Sequence, residues 1–563
     1  AIGLILEHPF GIGTHTFRDT YHREEAHNVY LSQFMNAGWV GGLLYAISVF
    51  GTLAAGLYAL RRRTALQAPL IVATAAFAGA VLEGFVVDTD HWRHVFVLMA
   101  LIWGLGLRHA MRDRLRISRA AHAESWDAAG VFAIRAASAA LLFVTQIALA
   151  RWLGAAEYGI FVAAWTCVLV LGGLCGLGFG TAMMRLAPQY TASGDFASFH
   201  GLLSGGRAVA VLASSTIALA GFAVFWLRGD FADPARAIPM GLALLCLPVF
   251  AFADVQDGLG RGQRWTVEAI GPHYVLRPLA LLLLIPLLSA FGAPDDAASG
   301  MALMLATLVL ATVLQTGLIA RRIRSAIPTR PPAYHFARWF GISLPLLAGS
   351  ICDLAVQNAD VLLLAVLRPA EETGIYYAAA KTAGLALFIH YAVGTAYAGR
   401  IAAAHALNDT AEVRDLVSKA VRWTFIPSAA VMGAILLVGY PILAGFGETF
   451  TGAYPLMFIL AIGILAKAAT GPADTILNML GHQRASALSI GLAAVLGIAL
   501  NVTLIPLWGI AAAAVATSTA LVAASACNWM AARRLEGLNL FILANLPRSS
   551  TREAESGIRS AAR

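Results

Sequence analysis

Charge is what this chain has least of. Asp, Glu, Lys and Arg make up 12% of 563 residues, about half the share usual in globular domains. Lysine is nearly missing: Lys381, Lys419 and Lys467 are the only three, so almost all positive charge is arginine. Cysteine is as scarce. Cys167, Cys175, Cys246, Cys352 and Cys527 all lie in apolar runs and none forms a CxxC, so they read as buried small side chains, not a disulfide framework. Hydrophobic residues fill 59% of the chain. So little charge cannot clothe a chain of this length in water, which excludes a soluble enzyme, a nucleic-acid binder and a disordered chain. What remains is an all-α polytopic membrane protein. No cofactor and no metal are implied.

A spanning helix needs about 20 apolar residues, at about 1.5 Å each, to cross about 30 Å of hydrocarbon. Roughly fifteen stretches qualify. Three lie near 28–60, 66–87 and 92–107, and the overlong first must begin as an interfacial helix or tilt. Twelve follow between residues 131 and 532. Arginines cluster after alternate spans, as at Arg61–Arg62–Arg63, at Arg108 to Arg119, and at Arg321, Arg322 and Arg324. The opposite loops carry Glu157, Asp230, Asp233, Asp295, Asp296, Glu371, Glu372 and Glu448. The positive-inside rule puts the arginine-rich loops in the cytoplasm, with residues 1–27 outside and the C-terminal tail inside.

The charged stretch 108–127 separates two modules as a linker, and a membrane-surface helix is compatible with it. The second module repeats itself. Leu153 to Ile160 recurs loosely as Arg368 to Ile375, so that Gly159 matches Gly374 at an offset of 215. Gly180-Thr181-Ala182 with Arg185 recurs as Gly394-Thr395-Ala396 with Arg400, and Gly262-Gln263-Arg264 as His482-Gln483-Arg484. Three matches in one order at nearly one offset point to a duplicated six-span unit. Six is even, so the halves are parallel, and transporters of that symmetry hold cargo between them. The expected divisions are 1–107, 108–127, a first lobe 128–325, a connection 326–339, a second lobe 340–535 and a tail 536–563.

A charge at the bilayer centre costs about 2.5–3.5 kcal/mol on insertion scales. Arg135, Arg277, Asp254, Asp257, Lys381, His390, Lys467 and Asp474 all fall within spans. Asp353, Gln357 and Asp360 follow at i, i+4 and i+7, one face of a helix, as the lining of a wet cavity would. Arg135 and Arg277 are candidates for holding an anion, because guanidinium grips phosphate with two parallel donors. Asp254 and Asp257 are read as snorkelling to the surface or locking helices, Lys467 and Asp474 as a pair with Gly471-Pro472 breaking the helix between them, His390 as structural, and Arg185 and Arg400 as interface anchors.

From Leu149-Ala150-Arg151-Trp152-Leu153-Gly154-Ala155-Ala156-Glu157-Tyr158-Gly159, through Asp360-Val361-Leu362-Leu363-Leu364, to Gly374-Ile375-Tyr376-Tyr377-Ala378-Ala379-Ala380-Lys381, the second module resembles a polysaccharide-biosynthesis flippase. This is the Wzx-type branch of the multidrug/oligosaccharidyl-lipid/polysaccharide exporter superfamily, and the resemblance covers about 128–535. It implies twelve spans in two lobes, a polar and often cationic cavity, a bacterial inner-membrane location, and undecaprenyl-diphosphate-linked oligosaccharide as cargo for O-antigen or exopolysaccharide. Membrane lipids and glycan polymerase or ligase machinery are the implied partners, and nucleic acid is not. Cation coupling, common in that superfamily, would fall to Asp353, Asp360 or Asp474. Arg277, Asp353, Gln357, Asp360 and Lys381 would meet cargo, with Arg135 matching basic first-span residues of related flippases.

Glu7-His8-Pro9-Phe10-Gly11-Ile12-Gly13, His27-Asn28 and Gly38-Trp39-Val40-Gly41 look like the end of the O-antigen ligase and polymerase family. There the histidine serves a catalytic outer loop, which makes His27 and Asn28 a ligase-like remnant. The family's earlier spans and the arginines of its loop are absent here. The chain opens on Ala1, not methionine, and is expected to begin partway through a longer reading frame. By itself this module is expected to catalyse nothing; the alternatives are a complete chain that also ligates or polymerises the glycan through His27, and a drug or other-lipid exporter of the same superfamily.

Overall fold

The structure, a computed structural model, describes residues 2–13, 17, 28–60, 67–84, 95–104, 119–228 and 233–545, without the side chains of 119–137. His27 lies outside these residues, as does the Arg135 side chain. The described residues are almost entirely helical. Eleven segments are long and apolar enough to cross a membrane, and two shorter apolar helices accompany them. Helices dominate because lipid offers no partner to a bare peptide group, so each span must close its own hydrogen bonds. The expected spans also include one that kinks within a longer helix and one broken into two short pieces. The chain divides into two compact units, Ala1–Ala129 and Gly130–Arg563.

The first unit holds α1 (Ile2–Glu7), α2 (Val29–Ala59), α3 (Gln67–Glu83) and α4 (Val95–Gly104). Asn28 caps α2, its side chain accepting from the Leu31 amide. The overlong first span kinks at Gly38, where φ is 71°. The segment Pro9–Gly13 takes up the peptide groups around the kink. Trp39 N donates to Pro9 O (2.9 Å), and Ile12 N to Met35 O (2.8 Å). The approach is close: a Cβ on Gly38 would lie 2.5 Å from Pro9 O, and one on Gly11 2.5 Å from Asn36 O. Two of the ligase-like motif segments thus meet backbone to backbone. Phe77, Leu70, Val49 and Ile102 form this unit's core.

The second unit begins with α5 (Arg119–Cys175), which turns sharply at Gly154 (φ 73°) and so supplies two spans. Then come α6 (Phe179–Ser193), α7 (Phe196–Arg228), α8 (Pro234–Gly262), α9 (Thr266–Gly271), a π-helical turn (Pro272–Leu276), α10 (Arg277–Ala290) and α11 (Ala297–Ala326). The second half follows with α12 (Phe336–Leu367), α13 (Ala370–Gly384), α14 (Leu387–Ala406), α15 (Thr410–Phe446), α16 (Tyr454–Ala469), α17 (Ala473–Met479), α18 (Gln483–Trp508) and α19 (Ile510–Leu535). The short α20 (Ile542–Asn545) ends the described chain.

The repeated motif has a structural use. Gly159 and Gly374 face one another where α5 crosses α13. A Cβ on Gly159 would lie 1.7 Å from Ala370 O, and one on Gly374 2.6 Å from Ala155 O. Only residues without a side chain allow backbones this close. Tyr158, fully buried, packs edge-on to Tyr377 and Phe450 beside the crossing. Arg151 Nε donates to Gly445 O at 2.7 Å. At their arginine-rich ends each half is covered by the segment that follows it. Ile327 and Trp339 are buried against α6, with Trp339 Nε1 donating to Tyr190 Oη at 3.0 Å. Leu538, Leu540 and Ile542 are buried against α15 and α17.

Candidate functional site

Helix interruptions position the site. The turn at Pro272–Leu276 is π-helical, with Arg277 N reaching back to Pro272 O. α13 and α14 part at Leu385 and Ala386. α16 stops before Gly471-Pro472, where Gly471 has φ 61°, and α17 restarts at Ala473. Broken helices at membrane depth belong where they line a cavity. Two cavities open there. One, of about 420 Å³, is lined by Phe143, Trp165, Phe250, His273 and Arg277, with Asp254 and Asp257 at its wall. The other, of about 490 Å³, is lined by Asp353, Gln357, His390, Lys467, Asp474 and Asn528 among others. Ala139, Tyr377, Lys381 and Leu385 border both.

The cavity cations rest on aromatic faces. The Arg277 guanidinium lies 5.2 Å from the Trp165 ring centre, Lys381 Nζ 4.8 Å from Tyr377 and Lys467 Nζ 5.7 Å from Tyr391. Among the described residues none of the three forms an ion pair, and Arg277 Nε is buried with no hydrogen-bond partner. Cations nearer the surface do find carboxylates: Arg261 Nη2 lies 2.8 Å from Asp257, Arg322 Nε donates to Glu268 at 2.6 Å, and Arg368 grips Glu372 through two bonds. A ring face steadies a cation by about 0.5–2 kcal/mol without neutralising it. The Arg277 guanidinium therefore stays available to an incoming anion, whereas Lys381 and Lys467 share the second cavity with Asp353, Asp360 and Asp474.

A polysaccharide biosynthesis protein family model matches residues 129–398 and a MatE model residues 345–503. Solved structures with this fold include an inward-facing multidrug-resistance MATE-family transporter of the MOP superfamily (TM-score 0.58, 13% identity, 72% of this chain and 97% of that one). An outward-facing transporter of that kind scores 0.52 at 14% identity, covering 72% of this chain and 95% of the other. A MOP-superfamily transporter from Pyrococcus furiosus does the same, with the same coverage. No curated protein sequence matches. Together these matches show that the chain shares its fold with solved transporters of the MOP superfamily.

Asp353, Gln357, Asp360, Lys381 and Asp474 converge on one cavity, while Arg277 lines the other beside Lys381. The three acidic-stripe residues differ in kind. Asp353 and Gln357 are exposed to the cavity and make no hydrogen bond among the described residues. Asp360 is buried and fully engaged: Oδ2 accepts from Tyr376 Oη (2.5 Å) and Thr517 Oγ1 (2.8 Å), and Oδ1 from Val361 N (2.8 Å). It fastens α12 to α13 and α19, so its part is in holding helices together.

Lys467 and Asp474 are not a pair. Asp474 Oδ1 faces His390 Nε2 at 3.4 Å, and Lys467 turns to Tyr391. The helix break swings Asp474 off the seven-residue register that made the pairing plausible. Asp257 pairs with Arg261 one turn along the same helix, and Asp254 and Asp257 both line the first cavity. Arg185 and Arg400 are exposed. Sequence reasoning missed Tyr376, Thr517, Trp165 and Arg207. The last is held by Gln256 Oε1 at 2.7 Å, inside the first half. Trp165 and Tyr376 carried no signal, because a buried aromatic in an apolar run looks the same whatever it touches.

Proposed function

We propose that residues about 128–535 move a lipid-diphosphate-linked oligosaccharide across the bacterial inner membrane by alternating access, with 128–325 and 340–535 as the two lobes. The observation that carries this reading is Arg277, a guanidinium set on the Trp165 face with no ion pair among the described residues, in a cavity bordered by Lys381. The polysaccharide-biosynthesis match over 129–398 supports the choice of cargo. Arg277, with Arg135 where the first span enters, holds the diphosphate. Guanidinium suits it through paired donors. Asp353 and Gln357 form the cavity wall, and Asp474 beside His390 is the carboxylate left for ion coupling.

The full chain is to be expressed in a strain lacking its own O-unit flippase, and surface glycan read by gel. Arg135→Ala with Arg277→Ala should abolish export while leaving the protein in the membrane. Full export by that variant would remove the site assignment. The MatE match over 345–503 favours a second reading, a drug exporter. It predicts efflux of lipophilic cations, for which a cavity holding the unpaired Arg277 guanidinium is a poor host. Transport of a cationic dye, with no effect on glycan, would establish it over the first.

A further inference from the structure

We infer that the cavity of the second half is a saccharide subsite, shaped for the neutral, hydroxyl-rich sugar next to the diphosphate of a lipid-linked cargo. The inference rests on the cargo reading above and divides the cargo between the cavities. The first cavity offers apolar walls, at Phe143, Trp165 and Phe250, around the Arg277 guanidinium. That mixture suits a prenyl chain ending in phosphate. The second offers hydrogen-bonding groups instead.

Asp353 and Gln357 stand one turn apart on α12, exposed to the cavity, with their polar atoms unused among the described residues. Asn528 is 6% exposed, and its Oδ1 is buried without a partner in the same cavity. A buried polar atom left unpaired costs about 1–3 kcal/mol, so this wall is incomplete without a ligand. Two carboxamides, a carboxylate and Lys467 Nζ together offer both donors and acceptors, which is what sugar hydroxyls require. Tyr391, 49% exposed, supplies a flat face for the C–H side of a pyranose.

Charge argues against a second anion here. Asp353, Asp360 and Asp474 offset Lys381 and Lys467 within this lining. A phosphate or acidic sugar would meet three carboxylates, whereas a neutral sugar meets partners of both kinds. The volume, about 490 Å³, lies in the range of small-molecule sites, about 300–1,000 Å³. Lys381 and Tyr377 border both cavities, which places the sugar–phosphate linkage at Lys381.

The test compares two probes on the purified full chain in detergent, by isothermal titration: farnesyl diphosphate, and farnesyl diphosphate bearing one N-acetylglucosamine. The glycosylated probe should bind at least about tenfold tighter. Asp353→Ala and Gln357→Ala should each erase much of that gain and leave farnesyl diphosphate binding unchanged. Arg277→Ala should weaken both probes alike. Both α12 residues face open space, and an unchanged melting temperature confirms that their variants fold. A sugar that adds no affinity, or a gain that survives both α12 variants, would overturn the subsite while leaving the cargo reading intact. Failure of the native chain to bind either probe would overturn the cargo reading, and the subsite with it.

Discussion

Replacing Asp360 by alanine separates a structural carboxylate from a coupling one. The substitution strands two side-chain donors, the fully buried Tyr376 hydroxyl and the Thr517 hydroxyl. Each buried donor left unpaired costs about 1–3 kcal/mol. Thr517 is partly accessible, and the hydroxyls can turn toward one another, since Tyr376 Oη and Thr517 Oγ1 are 3.2 Å apart. The net loss is then about 2–4 kcal/mol. If the second half melts as one unit, that corresponds to a drop on the order of 10 °C, read from intrinsic fluorescence of protein purified in detergent. Asp360→Asn keeps one acceptor oxygen and should lose less than half as much. A double-mutant cycle with Tyr376→Phe should show coupling of about 1–3 kcal/mol, because the two residues share one bond. Asp360→Ala protein that melts as the native chain does, yet transports nothing, would refute the structural assignment.

Gly159→Ala places a methyl 1.7 Å from a backbone oxygen; it should cost about 1–3 kcal/mol, and Gly159→Leu should abolish a monodisperse peak in size-exclusion chromatography. Trp339→Ala empties a fully buried indole site and loses the bond to Tyr190, a penalty of about 3–5 kcal/mol in thermal melting, against about 1 kcal/mol for Tyr190→Phe. Glu536→Gln removes a partner of His482, both about a quarter exposed, and should shift stability by under about 1 kcal/mol. Gly38→Ala forces a left-handed backbone and a contact 2.5 Å from Pro9 O; limited proteolysis should then cut the Pro9–Gly13 segment faster than in the native chain.

The spans were legible in the sequence because each is a local matter. A run of apolar residues long enough to cross hydrocarbon has to become a helix wherever its neighbours lie. The paired glycines Gly159 and Gly374 were legible as well, since a fixed offset survives in one dimension. The stripe Asp353/Gln357/Asp360 could be placed on one face by helical arithmetic alone. That arithmetic stops where the helix does: past Gly471-Pro472 it paired Lys467 with Asp474, and the break sent each to a different partner.

By itself, then, the sequence determined an all-α membrane chain, its helices and which charges fall within its apolar spans. Hydropathy and periodicity are properties of neighbours along the chain. Only the tertiary structure decided what each charge does. It gave Asp360 to Tyr376 and Thr517, residues 16 and 157 positions away. It laid Arg277 on Trp165, and brought Gly159 against Gly374. A carboxylate that binds helices together and one that waits in a cavity have the same letter and the same register. They differ in the donors that packing brings within about 3 Å, and those come from distant helices whose choice of neighbour no local pattern encodes.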